Sequence, residues 1–99
     1  MTTKIHRSSG NVFRDLGFSR SEAEHLTIRS SLMIEIRKVV ESRHLTQAKA
    51  AKLFGVSQPR ISDLMRGKIH LFSIDTLILM LSHAGVRVSL KFQRAVRVA

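Results

Sequence analysis

The stretch Leu45–Lys68, LTQAKAAKLFGVSQPRISDLMRGK, decides how the rest of the chain is read. It divides into two short helical segments, Gln47–Phe54 and Gln58–Met65, joined by a tight turn at Gly55-Val56-Ser57. Thr46 and Ser57 stand where a side-chain oxygen can accept from the free N–H groups of a first helical turn. Leu45 with Ala50, and Val56 with Ile61, have the spacing of the hydrophobic staples that accompany such starts. Gly55 falls where the chain must leave the first helix, a place for positive φ without Cβ strain. Pro59 lies in the first turn of the second helix, where a missing N–H deprives the helix of nothing. Ala51 is small where the second helix must cross closely, and Ala50, Phe54, Val56, Ile61 and Leu64 are spaced to face one interior. The outward positions of the second helix are then Gln58, Arg60, Ser62, Asp63 and Arg66, all polar and able to hydrogen-bond, two of them cationic.

Working outward, Ser19 and Glu22 form a capping-box pattern, with Phe18 and Ala23 as its staple. A helical region follows from Arg20 to Arg43, in which Leu32, Met33, Ile36, Val39 and Val40 make one apolar stripe at helical spacing. Hydroxyls between Thr27 and Ser31 compete for backbone hydrogen bonds and leave its continuity open. Ser73, with Phe72 and Leu77, starts a further helix that runs from Ile74 to about Ala84 and stops at Gly85. That helix is apolar around most of its circumference, so it is expected at the centre of the core; the alternative is a spare face packed on a second subunit. Beyond it Val86, Val88, Leu90 and Phe92 alternate with Arg87, Ser89 and Lys91, the pattern of a strand with one apolar face. A lone strand leaves its backbone unsatisfied. Its candidate partners are the weak Lys4–Arg7 and Asn11–Phe13 regions, or a second copy of the chain. The expected fold is mainly α: a compact helix-turn-helix bundle of four to five helices with a short C-terminal β-strand. Residues 1–18 would form an N-terminal arm whose first ten residues are flexible, 19–85 the domain, and 86–99 a strand and basic tail that could make a dimer contact.

The charge is unusual for a chain of 99 residues: 17 Lys plus Arg against 7 Asp plus Glu give a net +10. Such a balance implies a polyanionic partner, either nucleic acid or an anionic membrane. No apolar run approaches the roughly 20 residues that span a bilayer, and no amphipathic helix accompanies the basic tail, so a membrane is not expected as partner. With no cysteine and no apolar segment behind the basic N-terminal residues, a cytoplasmic protein is expected. The lack of Tyr and Trp weakens any reading based on stacking single-stranded bases. Five histidines are scattered without metal-ligand spacing, and the acids stand apart from one another. Without a phosphate-binding glycine loop or a nucleophile elbow, neither catalysis, nor a cofactor, nor a metal is expected.

Leu45-Thr46-Gln47, Ala51, Gly55-Val56-Ser57-Gln58, Ile61-Ser62 and Arg66-Gly67-Lys68 resemble the XRE (Cro/repressor-like) helix-turn-helix family, a dense match over about a quarter of the chain. The flanks, Asn11-Val12-Phe13 with Leu16-Gly17-Phe18 and Phe72-Ser73-Ile74 with a closing strand, look like the small HigA-like antitoxins. The resemblance implies a lambda-repressor-like bundle whose second motif helix lies in the major groove while the first braces it over the backbone. It makes Gln58 and Arg60 the readers of base edges, Gln bridging adenine N6 and N7 and Arg bridging guanine O6 and N7. Asp63 would accept from cytosine N4, or else pair with Arg60. Gln47, Ser57, Lys49, Arg66 and Lys68 would meet phosphate, helped by the helix dipoles, with Lys52 a solvated neighbour. Specific binding by so small a domain implies a homodimer on an inverted-repeat operator of double-stranded DNA. The implied role is a bacterial, nucleoid-associated repressor, the antitoxin of a toxin–antitoxin pair controlling its own operon. The alternative is a protein-binding module that chiefly neutralises a small toxin, by resemblance a ribosome-dependent mRNA nuclease. The arm up to Gly17 and the outer face of the first helix are its candidate surfaces.

Overall fold

Every expected helix start carries its cap in the computed structural model, which describes residues 12–94. The elements are α1 (Val12–Asp15), α2 (Arg20–Ser42), α3 (Gln47–Phe54), α4 (Gln58–Met65), a 3-10 turn (Ile69–Leu71) and α5 (Ile74–His83). Ser19 Oγ accepts from the Glu22 N–H at 3.2 Å, and Glu22 Oε1 accepts from the Ser19 N–H at 3.2 Å, closing the capping box. Replacing Ser19 with alanine is expected to remove about 1 kcal/mol of stability. A thermal melt by circular dichroism would show this as a fall of roughly 4–8 °C, and an unchanged midpoint would contradict it.

The hydroxyls within α2 do not interrupt it. Thr27 Oγ1 donates to the Ala23 carbonyl at 2.8 Å and Ser31 Oγ to the Thr27 carbonyl at 3.1 Å, so both back-bond inside the helix. The inward stripe of α2 (Leu32, Met33, Ile36, Val40) meets Ala50, Ala51 and Phe54 of α3, Ile61 and Leu64 of α4, and Leu77, Met80 and Leu81 of α5. Phe72, between the 3-10 turn and α5, completes this core. α5 packs on both α2 and α3, which makes it the core helix, yet its Leu79 is 62% exposed. Gly55 ends α3 at φ +72°, and the Val56 N–H returns to the Ala51 carbonyl at 3.0 Å.

The C-terminal β-strand is not formed, and no strand exists among the described residues. The Val86 N–H caps α5 by donating to the Leu81 carbonyl at 2.9 Å, after which residues 87–94 run on without a ladder. Alternation sets only which side chains share a face. A ladder also needs a second extended segment, and in the candidate Asn11–Phe13 the described residues Val12 and Phe13 are helical, with the Leu16 N–H bonding the Val12 carbonyl at 3.0 Å. The other candidate, Lys4–Arg7, lies outside the described residues, as do the expected arm over residues 1–10 and the tail beyond Arg94. Val86 and Val88 rest against the core, whereas Leu90 and Phe92 are 72% and 88% exposed.

Candidate nucleic-acid interface

Ile61 and Leu64, both fully buried, fix which side of α4 faces the solvent. With about 100° of rotation per residue, the side opposite them is centred on Pro59, Ser62, Asp63 and Arg66. Gln58 and Arg60 fall about 200° apart, on opposite flanks of that face. The helix is set by Ser57, whose Oγ accepts from the Arg60 N–H at 3.4 Å and whose own hydroxyl hydrogen stays available to an anion. Gln58 is exposed at the leading end of the helix. On α3, Thr46 Oγ1 accepts from the Lys49 N–H at 3.1 Å, leaving Gln47 and Lys49 exposed in the first turn. Lys49 has no ion-pair partner among the described residues.

Two of the expected base readers are engaged inside the protein. The Arg60 guanidinium carbon lies 4.3 Å from the centroid of the Phe72 ring, and Arg60 Nη1 donates to the Leu71 carbonyl at 3.2 Å. It therefore ties α4 to the segment leading into α5, in a cation–π contact of a type worth about 0.5–2 kcal/mol. Asp63 pairs not with Arg60 but with Arg66 Nη2 at 3.8 Å and Lys68 Nζ at 3.7 Å. The carboxylate, 24% exposed, holds both cations at the C-terminal end of α4. The structure thus gathers Gln58, Ser62, Asp63, Arg66 and Lys68 around the exposed side of α4, with Ser57 at its start and Gln47 and Lys49 on the preceding helix, while Arg60 is folded onto the core rim.

Residues that the local pattern did not flag support this arrangement. Arg29 Nη1 donates to the carbonyls of Ile69 and Phe72 at 3.2 and 3.4 Å, anchoring to α2 the segment on which Arg60 rests. These partners lie 40 and 43 residues from Arg29, beyond any periodicity signal. Helical rotation, by contrast, already places Ser62 nearer the middle of the outward face than Arg60. At the other end of the motif, a Cβ built on Gly55 would lie 3.2 Å from the His83 ring, so the end of α5 closes down on the turn between α3 and α4. No group of three or more His, Asp or Glu among the described residues is placed to hold a metal ion, and no helix there is long and apolar enough to cross a membrane.

A solved structure ascribed to the XRE family of transcriptional regulators is similar to the chain at 26% identity and a TM-score of 0.70, with 79% of this chain and 94% of that one covered. No curated protein matches it significantly. The family model described as a helix-turn-helix domain matches residues 12–93, nearly the whole of the described fold. With its two capped helices, glycine turn and outward polar face inside that match, the chain belongs to the helix-turn-helix domain family.

Proposed function

We propose that the protein is a sequence-specific transcriptional repressor that lays α4 in the major groove of double-stranded DNA. The observation carrying this reading is α4 itself: a short helix capped by Ser57, locked by Ile61 and Leu64, and presenting Gln58, Ser62, Asp63 and Arg66 outward. A net charge of +10 supplies the general attraction for a polyanion, and the similarity to a chain ascribed to the XRE regulators agrees with it. In this reading Gln58 and Asp63 address base edges, and Arg60 joins them on leaving Phe72. Gln47, Lys49, Ser57, Arg66 and Lys68 hold phosphate. One helix reads only a few base pairs, so the operator is an inverted repeat bound by a homodimer. The exposed Leu79, Leu90 and Phe92 supply apolar surface for that contact.

The test is binding to the DNA upstream of the protein's own gene, against random DNA, across a salt series. Gln58→Ala should cost about 1–3 kcal/mol on the specific fragment and little on random DNA. Lys49→Ala should weaken binding to both and lower the salt slope by about one. Equal affinity for every DNA would overturn the repressor reading. A second reading, neutralisation of a partner toxin by an antitoxin, is favoured by the exposed apolar side chains Val12 on α1, Leu16 just after it, and Ile28 and Ile34 on α2. It requires that Gln58→Ala leave neutralisation intact.

A further inference from the structure

A cleft of about 560 Å³ opens between the start of α2 and the 3-10 turn, with no residue of α4 in its lining. Phe13, Phe18, Leu26 and Ile69 form its apolar walls, with the two phenyl rings edge to face at 6.2 Å. Its volume lies in the range of small-molecule sites. Arg29 lines the same cleft, only partly exposed, and no carboxylate among the described residues pairs with it. Glu22 also lines the cleft, but its carboxylate is held by the Ser19 N–H and hydroxyl. Its partners are a ring nitrogen and two carbonyls, none of them a counter-ion, so an anion is favoured beside this guanidinium. We infer that this cleft binds a small aromatic anion, its ring against Phe13 and Phe18 and its charge on Arg29, and that occupancy is transmitted to α4.

The geometry supplies the transmission. Arg29 Nε and Nη2 both donate to His25 Nδ1, at 3.3 and 3.2 Å, and Nη1 donates to the carbonyls of Ile69 and Phe72. Of the five N–H groups of an arginine, that leaves one on Nη2. A carboxylate takes two parallel N–H groups, so a bidentate grip on the Nη1–Nη2 edge must draw one away from Ile69 or Phe72. The longer bond, 3.4 Å to Phe72, is the one to give. Loosening that segment loosens what holds Arg60, which rests on the Phe72 ring and the Leu71 carbonyl. An Arg60 so released is available to the groove, and the anion tightens specific DNA binding. This last step rests on the DNA-reading proposal above; the binding site does not.

The probe is 2-naphthoate, titrated into the full chain without DNA and followed by amide and Arg side-chain NMR, with neutral 2-naphthamide as control. Saturable shifts at Arg29 Nε and the Ile69–Phe72 amides are expected, with naphthamide weaker by about tenfold or more. Arg29→Met should abolish the difference between the two probes, as should Ser21→Trp, which fills the cleft from its rim and leaves Arg29 in place. Equal binding of both probes by the wild type, or shifts centred elsewhere, would overturn the site. In a second arm, saturating naphthoate should tighten binding to the upstream DNA about fivefold or more in the wild type and leave Arg60→Met unchanged. Unchanged or weaker wild-type binding overturns the transmission while the site stands. Ligand-free protein with no preference for the upstream DNA overturns the repressor reading and the transmission with it, again leaving the site to the first arm.

Discussion

Phe72→Ala is expected to lower the stability of the fold by about 3–5 kcal/mol, the range for deleting a buried aromatic ring. The residue is 1% exposed and belongs to the buried core where the 3-10 turn hands over to α5. Its loss also removes the surface under the Arg60 guanidinium, at 4.3 Å. A domain of this size has roughly 5–15 kcal/mol in total, so the variant should melt some 15–30 °C lower. Phe72→Leu separates the two contributions: it keeps most of the volume and should cost less than about 1.5 kcal/mol. A double-mutant cycle with Arg60→Met isolates the coupling between ring and guanidinium. Urea denaturation provides the readout, and a cost for Phe72→Ala below that of the leucine variant would mean the ring is not seated in the core.

Gly55→Val should be nearly as damaging, at roughly 2–4 kcal/mol, from two sources that can be separated. One is the backbone, since φ +72° is a left-handed conformation that a β-branched residue adopts only under strain. The other is space, because the new Cβ would meet the His83 ring at 3.2 Å. Removing the ring with His83→Ala should restore only the steric part, so the double variant should recover some stability but remain well below His83→Ala alone. Full recovery would show that the turn relaxes out of the left-handed region at little expense. Because this turn sets the angle between α3 and α4, the DNA binding proposed above should fall further than stability alone explains.

The legible part of this fold lies in its helix signals. Ser19, Thr46, Ser57 and Ser73 each cap the helix expected to follow, and Gly55 takes the positive φ expected of it. These are interactions over three or four residues, written out in the order of the chain. The stripe Leu32, Met33, Ile36 and Val40 and the inward set Ala50, Phe54, Ile61 and Leu64 were equally readable, because helical periodicity assigns a face without knowing what will cover it. The strand expected over residues 86–92 fails for the complementary reason: alternation gives faces, but a ladder requires a partner segment that local sequence does not specify.

At the interface the same division holds. Local pattern alone placed α4, its outward side and the exposed Gln58. It could not place Arg60 on Phe72, Asp63 between Arg66 and Lys68, or Arg29 beneath the 3-10 turn. Helix starts, turn and core faces follow from contacts within a turn or two of chain, whose geometry is common to all helices. Where a long flexible cation finally rests depends on which carbonyl, ring or carboxylate the packing of distant helices brings within reach, and that is set only once α2, α4 and α5 have closed on one core.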